Sequence, residues 1–249
     1  MNATLQAHLD ALKRTKEKGL LVLIDPDKVP TDLPGFLKRV EAAGASALLV
    51  GGSLTLDHEI RALVPRVKAL TDLPVILFPG NVNQVVPEAD AILLLSLISG
   101  RNPDLLIGRH VEAAPLLKAA GLEILPTGYM LIEAGKATTV NYISQTMPIP
   151  REKPQIAMCT ALAGEQLGLR LIYLDGGSGA PWAVPTEMIS AVAQALTVPL
   201  VVGGGIRSIG GVKQAWEAGA DLVVIGTALE GEPGRTFLEE LHLLRQHIL

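Results

Sequence analysis

A single cysteine, Cys159, stands in the 249-residue chain. No internal disulfide can form, and the usage fits a reducing compartment. Aromatic residues are scarce at 3%, so leucine, isoleucine, valine and alanine must fill any core. Positive charge is not concentrated either: 21 Lys and Arg against 25 Asp and Glu leave a net charge of −4, with no basic cluster. Non-specific nucleic-acid binding is therefore not expected. No apolar run is long enough to span a bilayer. The opening MNATLQAHLDALKRTKEKG has the spacing of an amphipathic helix and lacks the apolar stretch of a secretion signal. His8, His58, His110, His242 and His247 are scattered, so no zinc-type cluster is expected, and neither a P-loop nor a nucleophile elbow is present. These absences describe a soluble cytoplasmic protein.

What the chain has is aliphatic bulk: 49% hydrophobic and 18% charged residues. Short Val-, Ile- and Leu-rich runs recur at 20–25, 45–50, 73–78, 90–95, 122–127, 169–174, 198–203 and 220–225. They are nearly continuous in apolarity, as strands buried on both faces should be. Helix-length segments separate most of them. DLPGFLKRVEAAG and SIGGVKQAWEAGA run to a glycine near the end, a usual helix stop. HEIRALVPRVKAL and PTEMISAVAQAL carry apolar residues at helical spacing. PGNVNQVVPEA, between the third and fourth runs, is short and holds two prolines and two asparagines, a poor helix. Eight strand–helix units in this length predict a (β/α)8 TIM barrel spanning residues 1–249 as one domain. An open doubly wound sheet would place its Gly-rich turn after the first strand, where LIDPDK stands instead. The long 128–158 stretch is expected to include a loop on the active face, and FLEELHLLRQHIL reads as the closing helix.

In such barrels the active site lies at the C-terminal strand ends, with phosphate often bound after strands seven and eight. VVGGGIRS and VVIGTALEG stand there. Gly204, Gly205, Gly226 and Thr227 therefore read as one phosphate cradle, in which missing Cβ atoms let the backbone approach an anion. YLDGGSGA ends strand six and offers Asp175 to accept a hydrogen bond from a substrate hydroxyl or to remove its proton. At the end of strand one, Asp25, with Asp27 close behind, suits Mg2+ together with Ser53 from VGGS, because that ion takes few protein oxygens and keeps waters and substrate phosphates.

LIDPDK, VGGS, PTGYMLIEAGKATTV, PIPREKP, YLDGGSGA, VVGGGIRS and VIGTALEG, in this order across nearly the whole chain, resemble the geranylgeranylglyceryl phosphate synthase family, which includes the bacterial heptaprenylglyceryl phosphate synthases. The resemblance is to the family's second group, which lacks a lysine two residues before the first-strand aspartate; Leu23 holds that position here. It implies a barrel whose third helix is replaced by an extended segment, in agreement with PGNVNQVVPEA. It implies an ether-forming prenyltransferase that joins sn-glycerol 1-phosphate to a long prenyl diphosphate, geranylgeranyl diphosphate foremost. Asp25 and Ser53 would hold Mg2+. Tyr173, Leu174, Asp175, Gly176, Gly177, Ser178 and Gly179, with Gly204, Gly205, Gly226 and Thr227, would hold sn-glycerol 1-phosphate, and Asp175 would act as base. The family's usual YLEAGSGA becomes YLDGGSGA here, one methylene shorter at the carboxylate. A homo-oligomer, dimer or hexamer, is also implied. For the prenyl chain, Tyr129, Leu131 and Ile132 are candidates, whereas Leu93 to Leu95 read as ordinary core. A sugar-phosphate isomerase or cyclase, and a non-catalytic phosphometabolite sensor, are the rival readings.

Overall fold

The computed structural model describes residues 4–54 and 59–248. Every one of the eight apolar runs becomes a strand: β1 (Gly19–Ile24), β2 (Ala47–Gly52), β3 (Val75–Pro79), β4 (Ala91–Leu97), β5 (Glu123–Leu131), β6 (Leu171–Asp175), β7 (Leu200–Gly203) and β8 (Leu222–Ile225). They pair in sequence order, all parallel, and β8 closes on β1. The closed barrel explains why the runs do not alternate in polarity, since both faces are dry. Leu21, Leu49, Ile76, Leu93, Leu125, Leu171, Val201 and Leu222 fill the interior. Their neighbours Leu20, Val22, Leu48, Val75, Ile172, Leu200 and Val223 pack outward against the helices.

The helices among the described residues are α1 (Leu5–Thr15), α2 (Leu33–Ala42), α3 (Ile60–Lys68), α4 (Arg109–Ala120), α5 (Thr139–Ser144), α6 (Pro154–Gln166), α7 (Thr186–Ala195), α8 (Ile209–Glu217) and α9 (Gly231–Ile248). Helix α9 packs on α2 and α8, as a closing helix should. No helix among the described residues is long and apolar enough to cross a membrane.

Helix α1 lies at the N-terminal end of the barrel. Its Leu9 and Leu12 join the interior cluster. The backbone N–H groups of Leu5 and Gln6, which no helix can satisfy internally, both donate to the carboxylate of Glu123 at 2.8 Å. Glu123 opens β5, so one side chain ties the plug to the wall. Glu123→Ala is expected to cost about 1–3 kcal/mol, read as a lower melting temperature.

The segment between β3 and β4 holds one 3-10 turn, Val82–Gln84, and no α-helix. Pro79 and Pro87 bracket it, and Asn81 caps the turn by accepting from the Asn83 N–H at 2.8 Å. Strands β3 and β4 pair over two residue pairs, Ile76 with Ala91 and Leu77 with Ile92, whereas β4 and β5 pair over seven. Beyond Leu77 and Ile92 no ladder pairs β3 with β4. Buried Gln84 fastens this segment: its Nε2 donates to Gly52 O at 3.1 Å and its Oε1 accepts from the Gly80 N–H at 3.0 Å.

The 128–158 stretch is more structured than its composition suggests. It carries the end of β5, helix α5 and the start of α6. Arg151 of the PIPREKP motif staples it to the β6–α7 connection. Its Nη1 donates to Glu133 O at 3.2 Å and its guanidinium lies 5.1 Å from the Trp182 ring centroid, a cation–π contact.

Candidate active site

The strands' C-terminal ends open into a cavity of ≈ 910 Å³. Its floor is made by inward-pointing residues one layer above the aliphatic core. Phe78 of β3, Tyr129 of β5 and Tyr173 of β6 meet there. Phe78 stacks on Tyr173 with centroids 5.5 Å apart, and Tyr129 stands edge-on to both, at 6.1 and 5.5 Å. In a chain so poor in aromatics this convergence is a concentrated investment, and it surrounds a charge.

That charge is Asp175, the last residue of β6. It is buried, with 6% of its surface exposed. The Tyr129 hydroxyl donates to Oδ2 at 2.6 Å and the Gly177 N–H to Oδ1 at 2.7 Å. Burial raises its pKa above the ordinary aspartate value, and these two hydrogen bonds pull the other way. Tyr129 and Tyr173 are pushed well above the usual phenol range, by burial first and then by the neighbouring carboxylate. Both phenols therefore stay protonated and can only donate to, or accept from, a ligand as neutral groups.

Three turns surround this floor. Ser178, after β6, lies 3.4 Å from the Thr227 hydroxyl after β8, and Gly204 and Gly205, after β7, line the same cavity. Gly204 has φ +78°, and a Cβ there would fall 2.6 Å from Asp175 Oδ1 and 2.7 Å from the Gly177 nitrogen. Gly205 has φ +71°, and its Cβ would fall 2.2 Å from Trp182 O. Only glycine permits this backbone to lie so close. Arg207 joins the wall, donating through Nη2 to Gly179 O and Ala180 O at 3.2 and 3.1 Å.

On the opposite side, Asp25 ends β1 and caps the next 3-10 turn, its Oδ1 accepting from the Asp27 N–H at 3.0 Å. Ser53, just past β2, lines the same cavity. Among the described residues no group of three or more His, Cys, Asp or Glu is placed to enclose a metal.

A second cavity, ≈ 130 Å³ and mainly apolar, lies between the 78–85 segment, β4 and α4. Leu93, Leu94, Leu95, Leu105, Ala113 and Ile143 are among its walls. Gly52, Ser53, Phe78 and Tyr129 line both cavities, so the two meet directly beside the aromatic floor.

Residues 12–242 match the model of the PcrB family. The chain belongs to the PcrB family. It is 53% identical to the geranylgeranylglyceryl phosphate synthase of Spirosoma linguale over 89% of each chain. It is 45% identical to that of Thermococcus gammatolerans, covering 92% of this chain and 93% of the relative. Its structure is similar to (S)-3-O-geranylgeranylglyceryl phosphate synthase from Thermoplasma acidophilum, crystallised in complex with the substrate sn-glycerol-1-phosphate. The TM-score is 0.90 at 33% identity, over 97% of this chain and 98% of the other.

In this PcrB-family chain the sequence-selected residues are mostly brought together. Asp25, Ser53, Tyr173, Asp175, Gly177, Ser178, Gly179, Gly204, Gly205, Gly226 and Thr227 all line the larger cavity. Leu174 does not: it is fully buried in the layer between strands and helices, because neighbouring strand residues point to opposite faces. Gly176 continues the β6–β7 pairing, its N–H donating to Gly203 O at 3.1 Å, and does not line the cavity. Leu93 to Leu95 are core and also walls of the apolar cavity. Leu131 and Ile132 are fully buried and line neither cavity. Reading the sequence missed Phe78 and Arg207. The scarcity of aromatics was the available signal for Phe78, and proximity to the triple glycine that for Arg207.

Proposed function

We propose that this chain is a geranylgeranylglyceryl phosphate synthase, which joins sn-glycerol 1-phosphate to geranylgeranyl diphosphate through an ether bond in ether phospholipid biosynthesis. One observation carries the reading: a polar, glycine-lined cavity and an apolar cavity share a wall at Phe78 and Tyr129. The first suits a phosphorylated polyol and the second a hydrocarbon chain. A sugar-phosphate isomerase would have no use for the second, and a sensor no use for a buried carboxylate beside it. The 80–90 segment fits the extended replacement of a barrel helix, which makes room for the prenyl chain.

In this mechanism the backbone after β6, β7 and β8 holds the phosphate and Asp175 holds the glycerol 3-hydroxyl. The prenyl chain lies along Leu93 to Leu95 with its first carbon at the shared wall. The allylic C–O bond breaks, the diphosphate leaves, and the hydroxyl oxygen bonds to the allylic carbon. The hydroxyl proton passes to Asp175, whose raised pKa suits a group that must gain a proton. Asp175 is short for this task, and the Tyr129 hydroxyl holds it in place. Much of the acceleration comes from holding the two substrates in line.

Mg2+ fits the remaining donors. One carboxylate and one hydroxyl from adjacent strands, Asp25 and Ser53, leave room for waters and diphosphate oxygens, which that ion prefers to an all-protein cage. When bound, it would neutralise the charge growing on the leaving diphosphate. Asp25→Asn is expected to remove most turnover, by about 100-fold or more, while calorimetry still shows sn-glycerol 1-phosphate binding. Unchanged turnover would refute the metal role. We read residues 1–249 as one catalytic unit working as a homo-oligomer. Exposed Ile107, Val111, Tyr142 and Met147 offer apolar surface for contact, and light scattering tests this.

The activity itself is tested by incubating the protein with both substrates and Mg2+ and extracting into organic solvent. A prenyl ether that retains the glycerol phosphate is expected. Absence of any extractable phosphate would overturn the assignment.

A further inference from the structure

The prenyl diphosphate needs a place for its head as well as its tail, and the direction of the tail decides where that place is. With the chain beside β3 and β4 and the reacting carbon at Phe78 and Tyr129, the head continues past Ser53, just after β2, and Asp25, just after β1. The glycine turns after β6, β7 and β8 are taken by the other substrate's phosphate. The larger cavity also reaches the turn after β1 and helix α2, where Lys28, Asp32, Phe36 and Arg39 line it.

A multiply charged anion beside one carboxylate needs cations, and the wall supplies them unequally. Lys28 is paired with Glu230 at 3.2 Å, and Arg235, across the cavity, lies 3.5 Å from Glu239. Arg39 differs. Its acid, Asp32, is 3.6 Å from Nη1, an ion pair as loose as that of Arg235; what sets Arg39 apart is its Nε. That Nε is enclosed with no acceptor at all. A cationic N–H shut away without a partner costs stability, while the side chain as a whole stays partly exposed and lines the cavity, so its outer nitrogens are the part a ligand can reach. The guanidinium is also the side chain whose planar fork fits two phosphate oxygens at once.

We propose that Arg39 binds the diphosphate of the prenyl donor, with Lys28 beside it. The assignment rests on the prenyltransferase reading for the identity of the ligand, and on the cavity wall for its place. Arg39 is a binding residue of the head group, in the larger cavity and not in the apolar one. It stays with the diphosphate when the allylic bond breaks, so it should set product inhibition as well as donor affinity.

The test uses inorganic diphosphate with Mg2+ as the probe, so it does not depend on turnover. Calorimetry on the intact protein should show the wild type binding it and Arg39→Met binding about tenfold or more weakly. Affinity for sn-glycerol 1-phosphate should hold within about twofold. Arg39→Lys, which keeps charge and stem and so protects the fold, should still lose several-fold, because the fork is gone. Lys28→Met should lose less than Arg39→Met. The KM for geranylgeranyl diphosphate and the inhibition constant of diphosphate should rise together. Diphosphate affinity unchanged in both Arg39 variants would overturn the proposal, as would an equal loss of sn-glycerol 1-phosphate binding. A wild type that makes no ether yet shows the contrast in diphosphate affinity would sink the prenyltransferase reading and leave the anion site standing.

Discussion

Gly204→Val is expected to abolish binding of sn-glycerol 1-phosphate. The backbone there has φ +78°, a conformation that costs a branched residue about 1–2 kcal/mol. Space is the larger obstacle. The new Cβ would stand 2.6 Å from Asp175 Oδ1, 2.6 Å from the Gly176 nitrogen and 2.7 Å from the Gly177 nitrogen. Two of these are backbone atoms of the adjacent turn, which cannot swing aside as a side-chain tip can. The β6 turn must move, and with it the Gly177 N–H that holds Asp175. We expect affinity to fall by about 100-fold or more in calorimetry, equivalent to roughly 3 kcal/mol. Gly226→Ala is the control within the same cradle. Its Cβ would meet Leu23 at 3.4 Å, an ordinary van der Waals contact, so a milder loss is expected. Normal affinity in Gly204→Val would show that the turns after β6 and β7 do not form the phosphate site.

Asp175→Asn should cost about 10²- to 10⁴-fold in kcat, the range for removing a general base, with little change in the KM for prenyl diphosphate. The same change should stabilise the fold. In the native state Asp175 is buried and its pKa lies above the unfolded value. The folded protein therefore holds this proton more tightly than the unfolded chain does. Its stabilising effect is complete below the unfolded pKa, and it is lost as pH rises from there through the folded pKa. Above its folded pKa the wild type carries the full cost of the buried charge, and the asparagine variant does not. The amide can still accept from the Gly177 N–H and donate to the Tyr129 oxygen. A gain of roughly 0.5–2 kcal/mol is expected at pH 7, seen as a higher melting temperature that converges on the wild-type value in acid. A variant that is inactive and also less stable at neutral pH would mean that Asp175 holds the floor together and does not act as base.

Much of this site could be read from the chain. The turn motifs after β1, β2, β6, β7 and β8 are local in sequence, and each glycine or aspartate stands within a few residues of a strand end. Such a residue reaches the mouth of any parallel barrel, so Asp25, Ser53, Asp175, Gly204 and Thr227 could be selected without coordinates. Leu174 could not be placed correctly by motif alone, because one residue of strand parity turns a side chain from the cavity to the helix layer. That Leu93 to Leu95 also wall a cavity could not be read from the chain, because an apolar wall and an apolar core have the same composition. The difference is whether space is left beside them, and that depends on how the 78–85 segment and α4 pack against β4.

By itself the sequence determined the eight strands, their burial on both faces and the glycine turns at their ends, since these depend on periodicity and local backbone freedom. Only the tertiary structure decided that Phe78, Tyr129 and Tyr173 enclose one carboxylate, that a mainly apolar cavity meets a polar one at Phe78 and Tyr129, and that Arg39 faces the same space as Asp25. These residues lie far apart in the chain. Barrel closure alone sets the register and stagger that bring them to one layer, and no local pattern encodes it.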